Sequence, residues 1–311
     1  MGFLRRRQAE APAMPGFGDL VRPVVTHAPP GLPAARSSDT TVTAARRLNR
    51  AAGTIAGSVL IDSAMEHRRG NFHNPAMWTP IVTSALSVAA SLHGQGDRRH
   101  GAHRGRDAIY IAAGITGVVG TGFHLYNVTK KVGGLSWQNL FYRAPLGAPA
   151  AISLSGLMGF LAERVRDNRP GTRPTVAGVG AGRVVAGLTS ASLIATTAEV
   201  GLLHFRGAFH NPAMVLPVTM PPVAAGLLAA ASVARRGVER PVSRRWLAAT
   251  AIMGVAGVAF HAYGVSRGMG GWRNWRQNAF AGPPLPAPPS FTGLALAGLA
   301  ALALLAEDRD A

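Results

Sequence analysis

Six of the ten histidines in the chain form two matching sets. His67, His73 and His124 recur as His204, His210 and His261, and the three offsets (204 − 67, 210 − 73 and 261 − 124) are all 137. Imidazole can bind a metal or haem iron through one nitrogen while the other donates a hydrogen bond, and it carries a proton near neutral pH. An acid travels with each set, because Asp62 is matched by Glu199 at the same offset, which preserves charge type but not identity. Arg69 and Arg206 are matched as well. Asp62 lies seven residues before Arg69, roughly 10 Å along a helix rising about 1.5 Å per residue, so the two do not close an ion pair within one helix. The acid is better placed to fix the tautomer of a histidine on a neighbouring helix, or to accept a proton.

The histidines are embedded in a longer repeat. "EHRRGNFHNPAMWTP" begins at Glu66 and "LHFRGAFHNPAMVLP" at Leu203; "GFHLYN" at Gly122 pairs with "AFHAYG" at Ala259. Past "GG" at Gly133 and Gly270 the register slips by two, so that "QNLF" ending at Phe141 matches "QNAF" ending at Phe280. Self-similarity at a fixed spacing marks a duplicated unit. Part of the motif is turn chemistry: Asn before Pro caps a helix whose first residue needs no N–H, and Gly70 and Gly207 are expected to let the chain turn sharply. Pro80 and Pro217 are expected inside the following helix, kinking it. A turn by itself requires none of the histidines, and ionisable groups at membrane depth point to function. Their plain role is interhelical hydrogen bonding or headgroup contact.

The elements that must position these groups are membrane helices. Only 15% of the residues are charged against 48% hydrophobic, and apolar runs recur at roughly 51–65, 76–92, 108–126, 148–162, 184–203, 213–234, 246–263 and 290–306. This predicts an all-α integral membrane protein of eight spans, built as two tandem four-helix repeats in parallel orientation. The first span is the weakest, Gly/Ala-rich and carrying Asp62. Expected boundaries are a disordered basic tail over 1–43, a first repeat over 44–165, a linker over 166–180 and a second repeat over 181–306. The charge of +18 is spread over the loops, with Arg46, Arg47 and Arg50 before the first span, Arg98 to Arg106 after the second, Arg164 to Arg173 after the fourth and Arg235 to Arg245 after the sixth. That distribution excludes a nucleic-acid binder and, by the positive-inside rule, predicts a multi-pass protein of the cell (inner) membrane with both termini cytoplasmic and the RGxFHNP loops facing outward. No export signal opens the chain.

The chemistry expected of these elements is redox. Without cysteine there is no iron–sulfur cluster, no thioether-linked haem and no blue-copper site. A non-covalent b-type haem needs two imidazoles from different helices: His67 with His124 for one site, and His204 with His261 for the other, assisted by His73 and His210. Small residues in "GITGVVGTG" and "GVAGVAF" would admit a macrocycle, although such patterns also serve plain helix packing. The alternative is a divalent metal or quinone site built from His67, His73, His124 and Asp62, and likewise from the second set. Further classes are a transporter, because parallel repeats and intramembrane acids occur there, and a structural anchor whose QNxF loops at Asn139 and Asn278 dock a partner. The partners implied are the lipid bilayer, a quinone and an extracytoplasmic redox subunit.

Overall fold

The computed structural model describes residues 36–143, 146–169, 172, 174–234 and 240–310. The chain runs α1 (Arg36–Arg69), α2 (Thr79–Gly96), α3 (Arg104–Thr129), a short α4 (Trp137–Arg143) and α5 (Gly147–Arg166). A hairpin of two-residue strands, β1 (Thr175–Val176) and β2 (Val179–Gly180), leads into α6 (Ala181–Arg206). Then come α7 (Leu216–Val233), α8 (Arg240–Ser266), a short α9 (Trp275–Ala281) and α10 (Pro289–Asp310). The protein is an all-α membrane protein, and among the described residues six helices are long and apolar enough to cross a bilayer: α3, α6, α8, α10, and α2 and α7 with the single 3₁₀ turn that precedes each.

Neither α1 nor α5 is among the six, although both lie on runs that the sequence predicts to span. Burial explains their composition. Along α1, Ala44, Ala45, Leu48, Ala51, Ala52, Ile55, Ala56 and Val59 are all buried against α2, α5 and α10. A helix sheltered by protein needs small residues for close approach rather than large apolar ones for lipid. The helix also begins at Arg36, earlier than the tail predicted to reach residue 43; residues 1–35 lie outside the described part.

Two rings of helix contacts organise the molecule. In one, α1 packs on α2, α2 on α3, α3 on α5 and α5 on α1; in the other, α6 packs on α7, α7 on α8, α8 on α10 and α10 on α6. Matching atoms hold the third and fourth helices of each ring. Ser153 donates to the Gly114 carbonyl at 3.2 Å, and Thr292 to the Ala251 carbonyl at 2.8 Å. A Cβ on Gly117 would sit 2.5 Å from the Pro149 carbonyl, and one on Gly254 2.9 Å from that of Pro288. Gly117 and Gly254, among the glycines expected to admit a macrocycle, are therefore taken up by these crossings, whereas a Cβ on Gly114 or Gly122 would meet nothing within 4 Å. The rings meet where α1 lies along α10, Gly293 fitting against Ile55 and the Ala51 carbonyl.

Candidate functional site

The RGxFHNPAM turn is built twice with the same bonds. In the first copy, the Phe72 N–H reaches back to the His67 carbonyl at 3.1 Å and the Asn71 N–H to that of Arg68 at 2.9 Å; in the second, Phe209 binds His204 at 3.1 Å and Ala208 binds Phe205 at 2.8 Å. This closes each helix with a left-handed C-terminal cap. The cap forces positive φ on Asn71, Phe72, Ala208 and Phe209, a strained conformation for any residue with a side chain and most of all for phenylalanine. The predicted turning role of the glycines is thus corrected: Gly207 has φ −82, and a Cβ there would come within 3.2 Å of Met214 Cε, as one on Gly70 would within 3.0 Å of Met77 Cε, so any side chain would make the methionine shift. Asn74 and Asn211 accept from the Ala76 and Ala213 N–H groups, both at 2.9 Å, capping a 3₁₀ turn with proline at its start as predicted. Pro80 and Pro217 fall in the first turn of α2 and α7, where no N–H is missed, so they produce no kink.

All the predicted histidines of the turn are engaged through Nδ1. His67 donates to the Met77 carbonyl at 2.6 Å and His204 to that of Met214 at 2.8 Å. His73 donates to Gly70 at 2.9 Å and His210 to Gly207 at 3.0 Å, both from exposed positions. His261 donates to the Pro284 carbonyl at 2.7 Å. A carbonyl can only accept, so Nδ1 carries the proton and, in the neutral ring, Nε2 keeps its lone pair. His67 ends α1 and His124 lies on α3, diagonally across the first ring, close enough for His124 to feel a charge on His67. His204 and His261 stand in the same relation across the second. Among the described residues, no three His, Asp or Glu side chains converge on a point where a metal ion could be held.

The acids and arginines take other partners. The Glu199 carboxyl lies against Gly147 at the start of α5, and it is near enough to Asp62 to feel its charge across the boundary between the rings. Arg69 pairs with Glu66 at 2.5 Å, and Arg206 is exposed. The asparagines of QNxF bind their own loops: Asn139 donates to the Val132 and Gly134 carbonyls at 2.9 and 2.8 Å, and Asn278 to those of Met269 and Gly271 at 3.2 and 3.0 Å. Gly133, Gly134, Gly270 and Gly271 supply the positive φ values these loops need.

At the other end of the first ring lies a buried charged cluster that the loop-charge reading misses. Arg106, 1% exposed, binds both oxygens of the fully buried Glu163 at 2.8 and 2.9 Å and Asp97 at 2.9 Å. Arg166, also fully buried, donates to the Asp97 carbonyl at 2.7 Å, to Gly94 at 2.8 Å and to Asn49 Oδ1 at 3.0 Å. Asn49 and Ser91 both bind the Tyr110 hydroxyl at 3.1 Å. Gly159 leaves room for the Tyr110 ring, which a Cβ there would approach to 2.2 Å. The positions equivalent to Asn49, Ser91, Tyr110, Glu163 and Arg166 in the second ring are Ala186, Leu228, Leu247, Leu302 and Leu305. The signal was present in the sequence as polar residues of the first half that align with alanine and leucine in the second. Burial of Asp97 works against its ionisation, but the Arg99 N–H, the Arg106 guanidinium and the positive charge of Arg166 outweigh it and hold the carboxyl below its ordinary range.

Comparison with protein-family models, curated proteins and solved structures found no match.

Proposed function

We propose that the chain is a membrane electron-transfer subunit of cytochrome b type, with His67 and His124 as axial ligands of one haem and His204 and His261 of another. The observation that carries this reading is the Nδ1–carbonyl bond of His67, His204 and His261, which orients the ring, fixes the tautomer and leaves Nε2 as the donor. Two imidazoles on diagonal helices suit haem, whose porphyrin supplies the other four donors; a protein-held divalent metal asks for three or four side chains. His73 and His210 support the turn instead of ligating. Asp62 and Glu199, paired across the boundary between the rings, act as a proton reservoir beside the sites.

The architecture that goes with this function is eight spans in two parallel four-helix repeats, with α1 and α5 crossing the bilayer inside a sheath of the six more apolar helices. The matched ring contacts and the 137-residue offset support it. Loop charge puts both termini in the cytoplasm and the histidine turns at the outer face of the cell membrane. An absorption spectrum of purified protein, oxidised and then reduced with dithionite, tests the reading: reduced b-type bands are expected, and His67→Ala and His124→Ala should each remove the same half of the haem. A protein with no visible absorption leaves the histidines as clasps of the turn and ends the electron-transfer reading.

A further inference from the structure

The insides of the two rings differ in kind. On α2, Ser84, Ser87 and Ser91 form one stripe, each 2% exposed or less. Ser91 is tied to Tyr110, whereas Ser84 and Ser87 are buried hydroxyls with no hydrogen-bond partner in the protein. On α1, the stripe through Asn49 and Ala56 continues at helical spacing to the buried Ser63 and then to His67. Arg166 Nε, at the lower end, is buried without a partner as well. The second ring has Pro221, Ala224 and Leu228 for the serines, Leu247 for Tyr110 and Val200 for Ser63. Its Thr189 is a single unpartnered hydroxyl beside Ala186 and Leu193.

Buried hydroxyls do not stay unpaired cheaply. The usual remedy for an orphaned group in a polar interior is an ordered water with two or more partners. Here the candidate partners are stacked: Tyr110, Ser91, Ser87 and Ser84 rise from the charged cluster, the three serines spanning about 10 Å at about 1.5 Å per residue. Ser63 and then His67 continue the rise on α1. The cluster at the foot is electrically balanced, with Arg106 bonded to the Glu163 and Asp97 carboxylates and Arg166 bonded to the Asp97 backbone carbonyl beside them, so it does not repel a proton as an isolated arginine would.

We propose that the interior of the first ring is a proton pathway, filled by ordered water between these hydroxyls, that joins the Arg106–Glu163–Asp97–Arg166 cluster at one face of the membrane to the His67–His124 pair at the other. A proton entering the water beside this cluster moves by successive transfers in which each water or hydroxyl accepts one proton and releases another, so no group is consumed and no oxidant or reductant is involved. The second ring, whose buried Ser190, Ser192, Thr197, Ser243 and Thr250 each donate to a backbone carbonyl, is its dry counterpart. Only the upper end point of the pathway rests on the reading of the histidine pair as a redox site.

The test uses the full chain in liposomes. Hydroxyl-radical footprinting by X-ray radiolysis labels buried side chains next to bound water. Relative to its intrinsic reactivity, Tyr110, whose hydroxyl meets Asn49 and Ser91, is expected to label well above the equally buried Met158. Proton entry is then followed with a trapped pH dye under a potassium–valinomycin potential. Flux through the wild-type chain should exceed that of empty liposomes and fall several-fold in Tyr110→Phe and in Ser87→Val, while Ala224→Val leaves it unchanged. Tyr110→Phe removes one oxygen and keeps the ring, so it reports on the pathway even where Ser87→Val disturbs packing. Labelling of Tyr110 no faster than Met158, or a flux that Tyr110→Phe leaves untouched, overturns the proposal. Neither measurement involves a bound group: protons passing through a protein that carries no haem would retain the pathway and remove only the electron-transfer reading.

Discussion

Arg106 and Glu163 face each other at 2.8 Å with almost no exposure to solvent, and their counterparts in the second ring are Ser243 and Leu302. One architecture thus tolerates either a charged or an apolar interior at the same level. Breaking a buried pair from one side strands a charge, at about 3–5 kcal/mol, whereas replacing the whole cluster by apolar groups is often neutral. Glu163→Gln is therefore expected to lower the thermal midpoint in detergent markedly. Carrying the second ring's residues across together (Asn49→Ala, Asp97→Ala, Arg106→Ser, Tyr110→Leu, Glu163→Leu and Arg166→Leu) should cost less than that single change, and a larger loss in the combined variant would contradict this account.

The same cluster predicts an acid limit. The Asp97 carboxyl is held below its ordinary range, so its contribution to stability is fully present above the unfolded-state value of about 3.9 and is lost as pH falls through the lower folded value. Wild-type stability should drop with acidification below about pH 4 by more than that of Asp97→Asn, which has already lost the charge. Parallel acid curves for the two proteins would remove Asp97 from the explanation.

Gly147 and Glu199 should be coupled. A Cβ at position 147 would lie 1.7 Å from Glu199 Oε1, so Gly147→Ala must displace the Glu199 carboxyl and destabilise the fold. In a Glu199→Ala background, the alanine at 147 should cost much less. A double-mutant cycle on thermal stability measures the difference, and additive effects would rule the contact out.

Asn139 and Asn278 each hold two carbonyls of their own loop. Asn139→Ala and Asn278→Ala leave those carbonyls unpaired, at about 1–3 kcal/mol each. Hydrogen exchange should rise across residues 130–140 in the first variant and 268–279 in the second, with the other loop unchanged. Leucine at either position, similar in size to asparagine but with no amide donor, should behave like alanine.

The sequence alone determined what is local or periodic. The duplication was legible because identical residues recur at one offset, and the Asn-Pro caps because capping depends only on the residues next to them. Membrane helices were legible where the side chains meet lipid, as on α3 and α8. Tertiary structure decided everything that depends on which neighbour is opposite. The hydropathy of α1 and α5 says little about where they run, because their neighbours are other helices; Gly117 and Gly120 of α3 and Gly254 and Gly257 of α8 turned out to face Pro149 and Pro288. Asn71 and Phe72 carry the strained turn, with Gly70 beside them making room for Met77, which only the path of the chain could reveal. Arg106 and Arg166 read as loop charges until the folded chain buried them against Glu163 and Asn49, since these partners lie 57 and 117 positions away in the chain and only folding brings them beside the charges.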